Sequence, residues 1–156
     1  SPKIEGRILD SLDIQGHENV LEIGTGSGYF TSVLAKLSQS VVTIELDEQL
    51  SISAKNKVKK LNLNNITFIN DDALAYNFDN EQYDTIVIGC ALPNKNENFF
   101  RLLKPGGKLF MVVGAVNQMQ ATLVQRTNQN DWQSKSLFET HLDYMIGTEP
   151  SVKFAF

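Results

Sequence analysis

Two spacings of apolar residues alternate along the chain. Near the N-terminus, apolar residues recur at three- or four-residue intervals, which predicts an amphipathic helix over residues 3–14. Short runs rich in β-branched residues then predict five strands, at residues 20–23, 41–45, 66–69, 83–89 and 108–113. Strands that alternate with helices are typical of a parallel sheet with helices on its faces.

Helical segments separate the first strands. Asp47 is a suitable N-cap for the helix that follows the second strand. The apolar positions of two predicted helices are Phe30, Val33, Leu34 and Leu37 in one, and Leu50, Ala54, Val58 and Leu61 in the other. Residues 99–103 indicate the end of a further helix. Lys104-Pro105-Gly106-Gly107 predicts a turn, because proline fixes φ and glycine permits positive φ.

The C-terminal part of the chain has a different pattern. Strand-like segments at residues 120–127 and 132–140 flank the polar residues 128–131, which predicts an antiparallel hairpin. A length of 156 residues suits one domain. The sequence therefore predicts a single α/β domain over residues 1–156, with a mainly parallel central sheet flanked by helices and a C-terminal antiparallel hairpin.

Composition disfavours several classes of function. A net charge of −4 disfavours a nucleic-acid-binding protein, because phosphate binding requires clustered cations. No apolar run reaches the roughly 20 residues that span a bilayer. The single cysteine, Cys90, and the widely separated His17 and His141 favour neither a disulfide nor a metal site. We expect a cytoplasmic protein with no metal, and with neither nucleic acid nor a membrane as a partner; its oligomeric state is left open.

Chemically suggestive residues follow successive predicted strands. Gly24-Thr25-Gly26-Ser27-Gly28 comes directly after the first strand and opens a helix, and Glu45 ends the second strand. Polar or small residues at 70–73 and 89–93 follow the third and fourth strands. In an open parallel sheet, ligands bind beyond the carboxyl ends of the strands. The sequence therefore predicts a ligand site at that edge.

The glycine loop can hold two kinds of ligand, since its backbone is accessible and a helix N-terminus favours negative charge. The dinucleotide fingerprint is G-x-G-x-x-G, whereas Tyr29 stands where its third glycine would be. S-adenosylmethionine (SAM) has a carboxylate for the backbone amides, and a cationic amino group and sulfonium that suit the acidic Glu22. The pattern favours SAM, with NAD as the alternative.

Two further carboxylates fit the same ligand. Glu45 lies 21 residues after Gly24 and can accept hydrogen bonds from both ribose hydroxyls. Asp72, after the third strand, can accept from an adenine amino group.

The string from Val20 to Tyr29 resembles motif I of the protein-L-isoaspartate O-methyltransferases. Residues 43–45, 83–88 and 103–109 resemble later segments of that family. The resemblance implies a class I, Rossmann-like, SAM-dependent methyltransferase fold. It also implies methyl transfer to the free carboxylate of isoaspartyl residues in damaged proteins or peptides, with S-adenosyl-L-homocysteine as the other product. The candidate cofactor-binding residues are Glu22, Gly24, Thr25, Gly26, Ser27, Gly28, Glu45, Leu46, Asp72 and Ala73.

Three segments depart from the family pattern. Gly89-Cys90-Ala91 stands where Thr-Ala-Ala is usual, Val112-Val113-Gly114 where Pro-Val-Gly is usual, and Asp71-Asp72 where Gly-Asp is usual. Two alternatives therefore stay open: a SAM-dependent methyltransferase with another acceptor, and a SAM-binding relative without isoaspartyl activity.

Two further features concern the ends of the chain. Residues 137–140 and 154–156 resemble a divergent bacterial branch of the family. Family members also have an N-terminal segment before the part that matches Ser1 and Pro2, and the sequence leaves open whether this chain lacks that segment naturally or begins inside a longer protein.

The sequence assigns no catalytic residue. An isoaspartyl carboxylate, with a pKa of roughly 3.5, is ionised at neutral pH and needs no general base. Alignment of the reacting atoms and partial desolvation can supply the catalysis. We expect neither Cys90 nor the two histidines to act as a nucleophile or base.

Overall fold

The computed structural model describes residues 2–151, so the similarity noted at residues 154–156 lies outside the described residues. Within that range the elements are α1 (Pro2–Leu12), β1 (Asn19–Ile23), α2 (Tyr29–Leu37), β2 (Ser40–Glu45), α3 (Glu48–Lys59), β3 (Ile66–Asn70), β4 (Tyr83–Leu92), α4 (Glu97–Phe100), β5 (Leu103–Val113), β6 (Gln120–Arg126) and β7 (Trp132–Glu139). None of these helices has the length and apolar character needed to cross a bilayer.

All of these strands belong to one sheet, in the order β3-β2-β1-β4-β5-β6-β7. Strands β1 to β5 pair in parallel. Strand β6 is antiparallel to both β5 and β7, so β6 and β7 form a hairpin at one edge. The predicted mainly parallel sheet with a C-terminal antiparallel hairpin is confirmed.

The direction of winding reverses at β1. The chain moves outward from β1 to β3, then returns to place β4 on the other side of β1. The connections that leave β1 and β4 therefore run in opposite directions, and a crevice opens beyond the carboxyl ends of these two strands.

Alternate residues of the central strands enter two separate cores. Ile86 and Ile88 of β4 belong to one core, and Val87 between them belongs to the other. Helices α1 and α2 cover the second core, where Leu12 and Leu34 are buried. The first core is covered by α4 and by the connection between β3 and β4, which forms turns rather than a helix.

The buried face of α3 agrees with the prediction at Ala54 and Val58 and differs from it at Leu50 and Leu61. Ser51, Ala54 and Val58 are buried, whereas Leu50 and Leu61 are 45% and 50% exposed. Small residues on the buried face allow α3 to approach the rest of the molecule closely, while its one leucine, Leu50, faces outward and Leu61 lies beyond the end of the helix. The N-cap prediction is confirmed, since Asp47 Oδ1 accepts a hydrogen bond from the Leu50 amide at 2.9 Å.

The fifth strand begins earlier than predicted. It starts at Leu103 and includes the Pro105-Gly106 turn, which bulges out of the pairing between Tyr83–Leu103 and Thr85–Lys108. Gly106 has a φ of 83°, so the predicted turn chemistry is present, but inside the strand.

Candidate functional site

A cavity of about 410 Å³ lies beyond the carboxyl ends of β1, β2, β3 and β4. Its walls include the glycine loop, the end of β2, the segment after β3 and the end of β4. The lining residues are Ile23, Gly24, Gly26, Ile44, Glu45, Leu46, Leu50, Asp71, Asp72, Ala73, Gly89, Cys90, Leu142, Asp143, Tyr144, Met145 and Ile146. The four segments therefore meet at one cavity, as predicted, and its role as a ligand site stays a prediction.

The glycine loop needs its glycines for its backbone conformation. Gly24, Gly26 and Gly28 have φ values of 93°, 52° and 79°, all in the left-handed region. Gly28 also approaches α3 closely, because a Cβ atom at this position would lie 2.9 Å from the Cβ of Ala54. The loop can therefore turn sharply from β1 into α2 while its backbone stays open to the cavity.

Hydrogen bonds to β2 hold the loop in place. The Gly24 amide donates to the Ile44 carbonyl oxygen at 2.9 Å, and the Gly26 amide donates to Glu45 Oε2 at 2.9 Å. The Glu45 carboxylate also accepts from the Asp47 amide at 3.1 Å. Glu45 thus connects the loop to the start of α3 and faces the cavity at the same time.

The cavity has an acidic character. Glu45, Asp71, Asp72 and Asp143 line it, and none of its described lining residues is Lys, Arg or His. Asp72 Oδ1 accepts from the Leu74 amide at 2.9 Å, which fixes this carboxylate after β3. Such a set of carboxylates attracts a cationic ligand and repels a pyrophosphate.

Glu22 lies beneath the loop rather than on the cavity surface. Its side chain is 2% exposed and accepts hydrogen bonds from the hydroxyls of Thr31 and Thr43. Burial raises the pKa of this carboxyl from 4.5 to about 7, and the two hydroxyl donors oppose that rise. The role of Glu22 as a direct cofactor contact stays a prediction, and its placement does not favour that role.

Thr25 and Ser27 of the glycine loop are also absent from the cavity lining. Thr25 is 4% exposed and its hydroxyl lies 2.6 Å from that of Thr43. Ser27 is exposed, and its Oγ accepts from the Tyr29 amide at 3.3 Å. Of the ten candidate cofactor residues, those that line the cavity are Gly24, Gly26, Glu45, Leu46, Asp72 and Ala73.

Cys90 lines the cavity as a protonated thiol. Burial, followed by the nearby charge of Glu45, raises the pKa of the thiol to about 12. His17 lies with Asp84 at the opposite end of the sheet, and His141 is exposed. Within residues 2–151, no cluster of three or more His, Cys, Asp or Glu residues could hold a metal ion.

The segment at residues 142–146, which the sequence did not predict to be part of the site, closes one side of the cavity. It pairs with the end of β4, where the Ala91 amide donates to the Asp143 carbonyl oxygen and the Met145 amide donates to the Ala91 carbonyl oxygen, both at 2.8 Å. The Tyr144 hydroxyl donates to the Gly114 carbonyl oxygen at 2.7 Å. The high content of apolar residues at positions 142–146 was the one signal in the sequence that this segment packs against the rest of the molecule.

Similar solved structures identify the fold. A protein-L-isoaspartate O-methyltransferase structure matches with a TM-score of 0.84 at 22% identity, covering 94% of this chain and 48% of that chain. A Plasmodium falciparum structure assigned to the same group, in complex with S-adenosyl-L-homocysteine, matches with a TM-score of 0.80 at 20% identity, covering 93% of this chain and 74% of that chain. The fold is that of a class I SAM-dependent methyltransferase.

Sequence comparisons identify the family. The model of the protein-L-isoaspartate(D-aspartate) O-methyltransferase family matches residues 1–145. Protein-L-isoaspartate O-methyltransferase 2 of Pelobacter propionicus is 30% identical over 149 residues, 95% of this chain and 66% of that protein. Its counterpart in Petrotoga mobilis is 37% identical over 115 residues, 73% of this chain and 54% of that protein.

The chain belongs to the protein-L-isoaspartate(D-aspartate) O-methyltransferase family, whose members are SAM-dependent protein carboxyl methyltransferases. It spans about half to two thirds of the length of the relatives named above.

Proposed function

We propose that this chain binds SAM in the cavity and transfers its methyl group to the free carboxylate of isoaspartyl residues in damaged cytoplasmic proteins. The observation that carries the proposal is the meeting of the glycine-loop backbone with the strand-end carboxylates Glu45 and Asp72 in one cavity. Membership of the family supports the choice of acceptor.

The cavity residues fit the chemistry of SAM. Gly24 and Gly26 line the cavity and have no Cβ, so the methionine part of SAM can approach their backbone closely, while their amides stay bonded to Ile44 and Glu45. Glu45 suits the ribose hydroxyls, since each carboxylate oxygen can accept a second hydrogen bond beside the one it has. Asp72 suits the adenine amino group, with Leu46 and Ala73 as apolar walls.

The residues of this chain bind and orient rather than move protons. SAM supplies an electrophilic methyl group on a positively charged sulfur. The acceptor carboxylate is already ionised at neutral pH, and it forms the new oxygen–methyl bond while the sulfur–methyl bond breaks, so no general base is needed. The acidic cavity stabilises the cationic cofactor, and Leu142, Met145 and Ile146 limit the access of water.

The test is transfer of a labelled methyl group from SAM to a pair of peptides. One peptide contains an isoaspartyl residue, and its matched control has a normal aspartyl residue in the same sequence. We expect base-labile methyl ester on the isoaspartyl peptide and none above background on the control. Binding of SAM without ester on the isoaspartyl peptide would contradict the proposed acceptor and favour a SAM-binding protein.

A second candidate function keeps SAM and changes the acceptor. Gly89 and Cys90 line the cavity where the family usually has Thr-Ala. None of the described lining residues has a cationic side chain that could bind the carboxylate of an acceptor. A screen of small-molecule and protein acceptors with labelled SAM separates this function from the first.

A further inference from the structure

We propose that Glu22 is a positioning residue that holds the glycine loop through the hydroxyls of Thr43 and Thr25, without contact to SAM. The inference rests on the proposed binding of SAM in the cavity. It assigns Glu22 a different role from the direct contact that the sequence suggested.

The placement of Glu22 supports an indirect role. Its side chain is 2% exposed and is absent from the cavity lining, although Ile23 and Gly24, which follow it, both line the cavity. Thr25 and Thr43 are also buried, at 4% and 0% exposure. The three side chains therefore form a buried polar cluster beneath the loop.

The hydrogen bonds of this cluster have a definite direction. The Thr43 hydroxyl donates to Glu22 Oε2 at 2.7 Å. A hydroxyl carries one hydrogen, so Thr25, whose Oγ1 lies 2.6 Å from that of Thr43, must donate to Thr43. Glu22 is the acceptor at which this short chain of hydrogen bonds ends. Thr31 of α2 donates to the same oxygen at 2.5 Å.

The cluster connects the parts that define the loop. Glu22 belongs to β1, Thr43 to β2 and Thr31 to α2, while Thr25 lies between Gly24 and Gly26. A buried hydroxyl that loses its partner costs free energy that the loop can avoid only by moving. Removal of one link should therefore shift the backbone at Gly24 and Gly26 and weaken a ligand bound there.

The experiment measures SAM affinity by calorimetry for variants that keep side-chain shape. Thr43→Val and Thr25→Val each remove one hydroxyl, and we expect roughly tenfold weaker binding for each. The double variant should bind no more weakly than the weaker single variant, because both substitutions break the same chain. Thr43→Ser retains the hydroxyl and should bind SAM within about twofold of wild type.

Thr85→Val is the matched control. Thr85 is a buried strand threonine, 0% exposed, whose hydroxyl donates to a carboxylate, Glu18 Oε1, at 3.0 Å. That bond lies at the opposite end of the sheet, among residues outside the cavity lining. This variant should show wild-type SAM affinity even if its stability falls.

A further variant separates the acceptor from its charge. Glu22→Gln keeps an oxygen that accepts from Thr43 and lacks the negative charge that Glu22 carries when the pH exceeds its raised pKa of about 7, so the two are compared above that pH. We expect near-wild-type SAM affinity for it. A large loss in Glu22→Gln with no loss in Thr43→Val and Thr25→Val would overturn the inference, since that result requires a direct charge contact.

Hydrogen exchange of the loop amides tests the positioning in the absence of SAM. In wild type, the Gly26 and Gly28 amides are bonded to Glu45 and to the Thr25 carbonyl oxygen. Thr43→Val should speed their exchange while Thr85→Val leaves it unchanged. Failure of wild type to bind SAM would reject the proposed function, but equal exchange in Thr43→Val and wild type would reject the positioning role.

Discussion

Glu22 makes the stability of the protein depend on pH near neutrality. Burial raises its pKa from 4.5 to about 7, so between these values the folded chain keeps a proton that the unfolded chain has released. The free energy of unfolding should therefore fall as the pH rises from about 4.5 to about 7, by up to about 3 kcal/mol. Urea unfolding at a series of pH values measures this fall.

Glu22→Gln is the control for that pH dependence, because an amide does not titrate. The free energy of unfolding of Glu22→Gln should therefore not show the decrease between about pH 4.5 and about pH 7. The lowered pKa of Asp84, set by the Asn19 amide and Lys104 against its partial burial, acts in a different window, since the stability it adds is lost only below its ordinary value of 3.8. A wild-type stability that rises steadily from pH 4.5 to 7 would contradict the raised pKa.

Gly28 should be the least replaceable glycine of the loop. In Gly28→Ala, the new Cβ meets the Cβ of Ala54 at 2.9 Å in a left-handed backbone with a φ of 79°, so we expect a loss of at least about 2 kcal/mol of stability. Gly26→Ala is the matched comparison, because its Cβ meets nothing within 4 Å and only the cost of its φ, about 1 kcal/mol, applies. Equal thermal stability of the two variants would contradict the close contact with α3.

At the scale of residues, the sequence located the acidic and glycine positions but not all of their orientations. Glu45 is the last residue of β2 and Asp72 follows the end of β3, and at these places a side chain reaches the cavity. Glu22 lies inside β1, a strand in which four consecutive residues are buried. A strand buried on both faces lacks the polar alternation that would show which way a side chain points.

Helix α3 shows what an element-scale pattern can predict. Its N-cap was identified because Asp47 satisfies a backbone amide locally. Ala54 and Val58 are buried as predicted, whereas the prediction was wrong for Leu50, because α3 packs closely against Gly28 through the small residue Ala54. The distance at which α3 packs against the glycine loop determines which face of the helix is buried, and no local sequence pattern contains that distance.

Removal of the α3 cap should loosen one wall of the cavity. Asp47→Ala removes the acceptor of the Leu50 amide, and we expect a loss of about 1 kcal/mol of stability. Hydrogen exchange at the start of α3 should accelerate because the cap is lost. Leu50 lines the cavity, so the loosened turn is part of the cavity wall. Asp47→Asn retains an acceptor oxygen and should stay near wild type. Identical melting of Asp47→Ala and wild type would argue against the cap.

At the scale of the whole molecule, the alternation of strands and helices was sufficient to predict the sheet and the edge where the site lies. The carboxyl ends of parallel strands lie at the same edge of the sheet. Four separate segments of sequence that follow these ends could therefore be assigned to one site. The closure by residues 142–146 was not predictable, because it depends on pairing between Ala91 and Tyr144, which lie far apart in the sequence. Such non-local contacts leave little local signal.

The central claim is that the cavity binds a cationic sulfur nucleoside through Glu45, and calorimetric titration with SAM tests it most directly. We expect wild type to bind SAM and not NAD, and Glu45→Gln to bind SAM at least tenfold more weakly, since a charged acceptor of two hydroxyls is lost. Glu48→Gln, an exposed position outside the cavity lining, should bind as wild type does. Binding of NAD in place of SAM, or equal SAM affinity in wild type and Glu45→Gln, would contradict the claim.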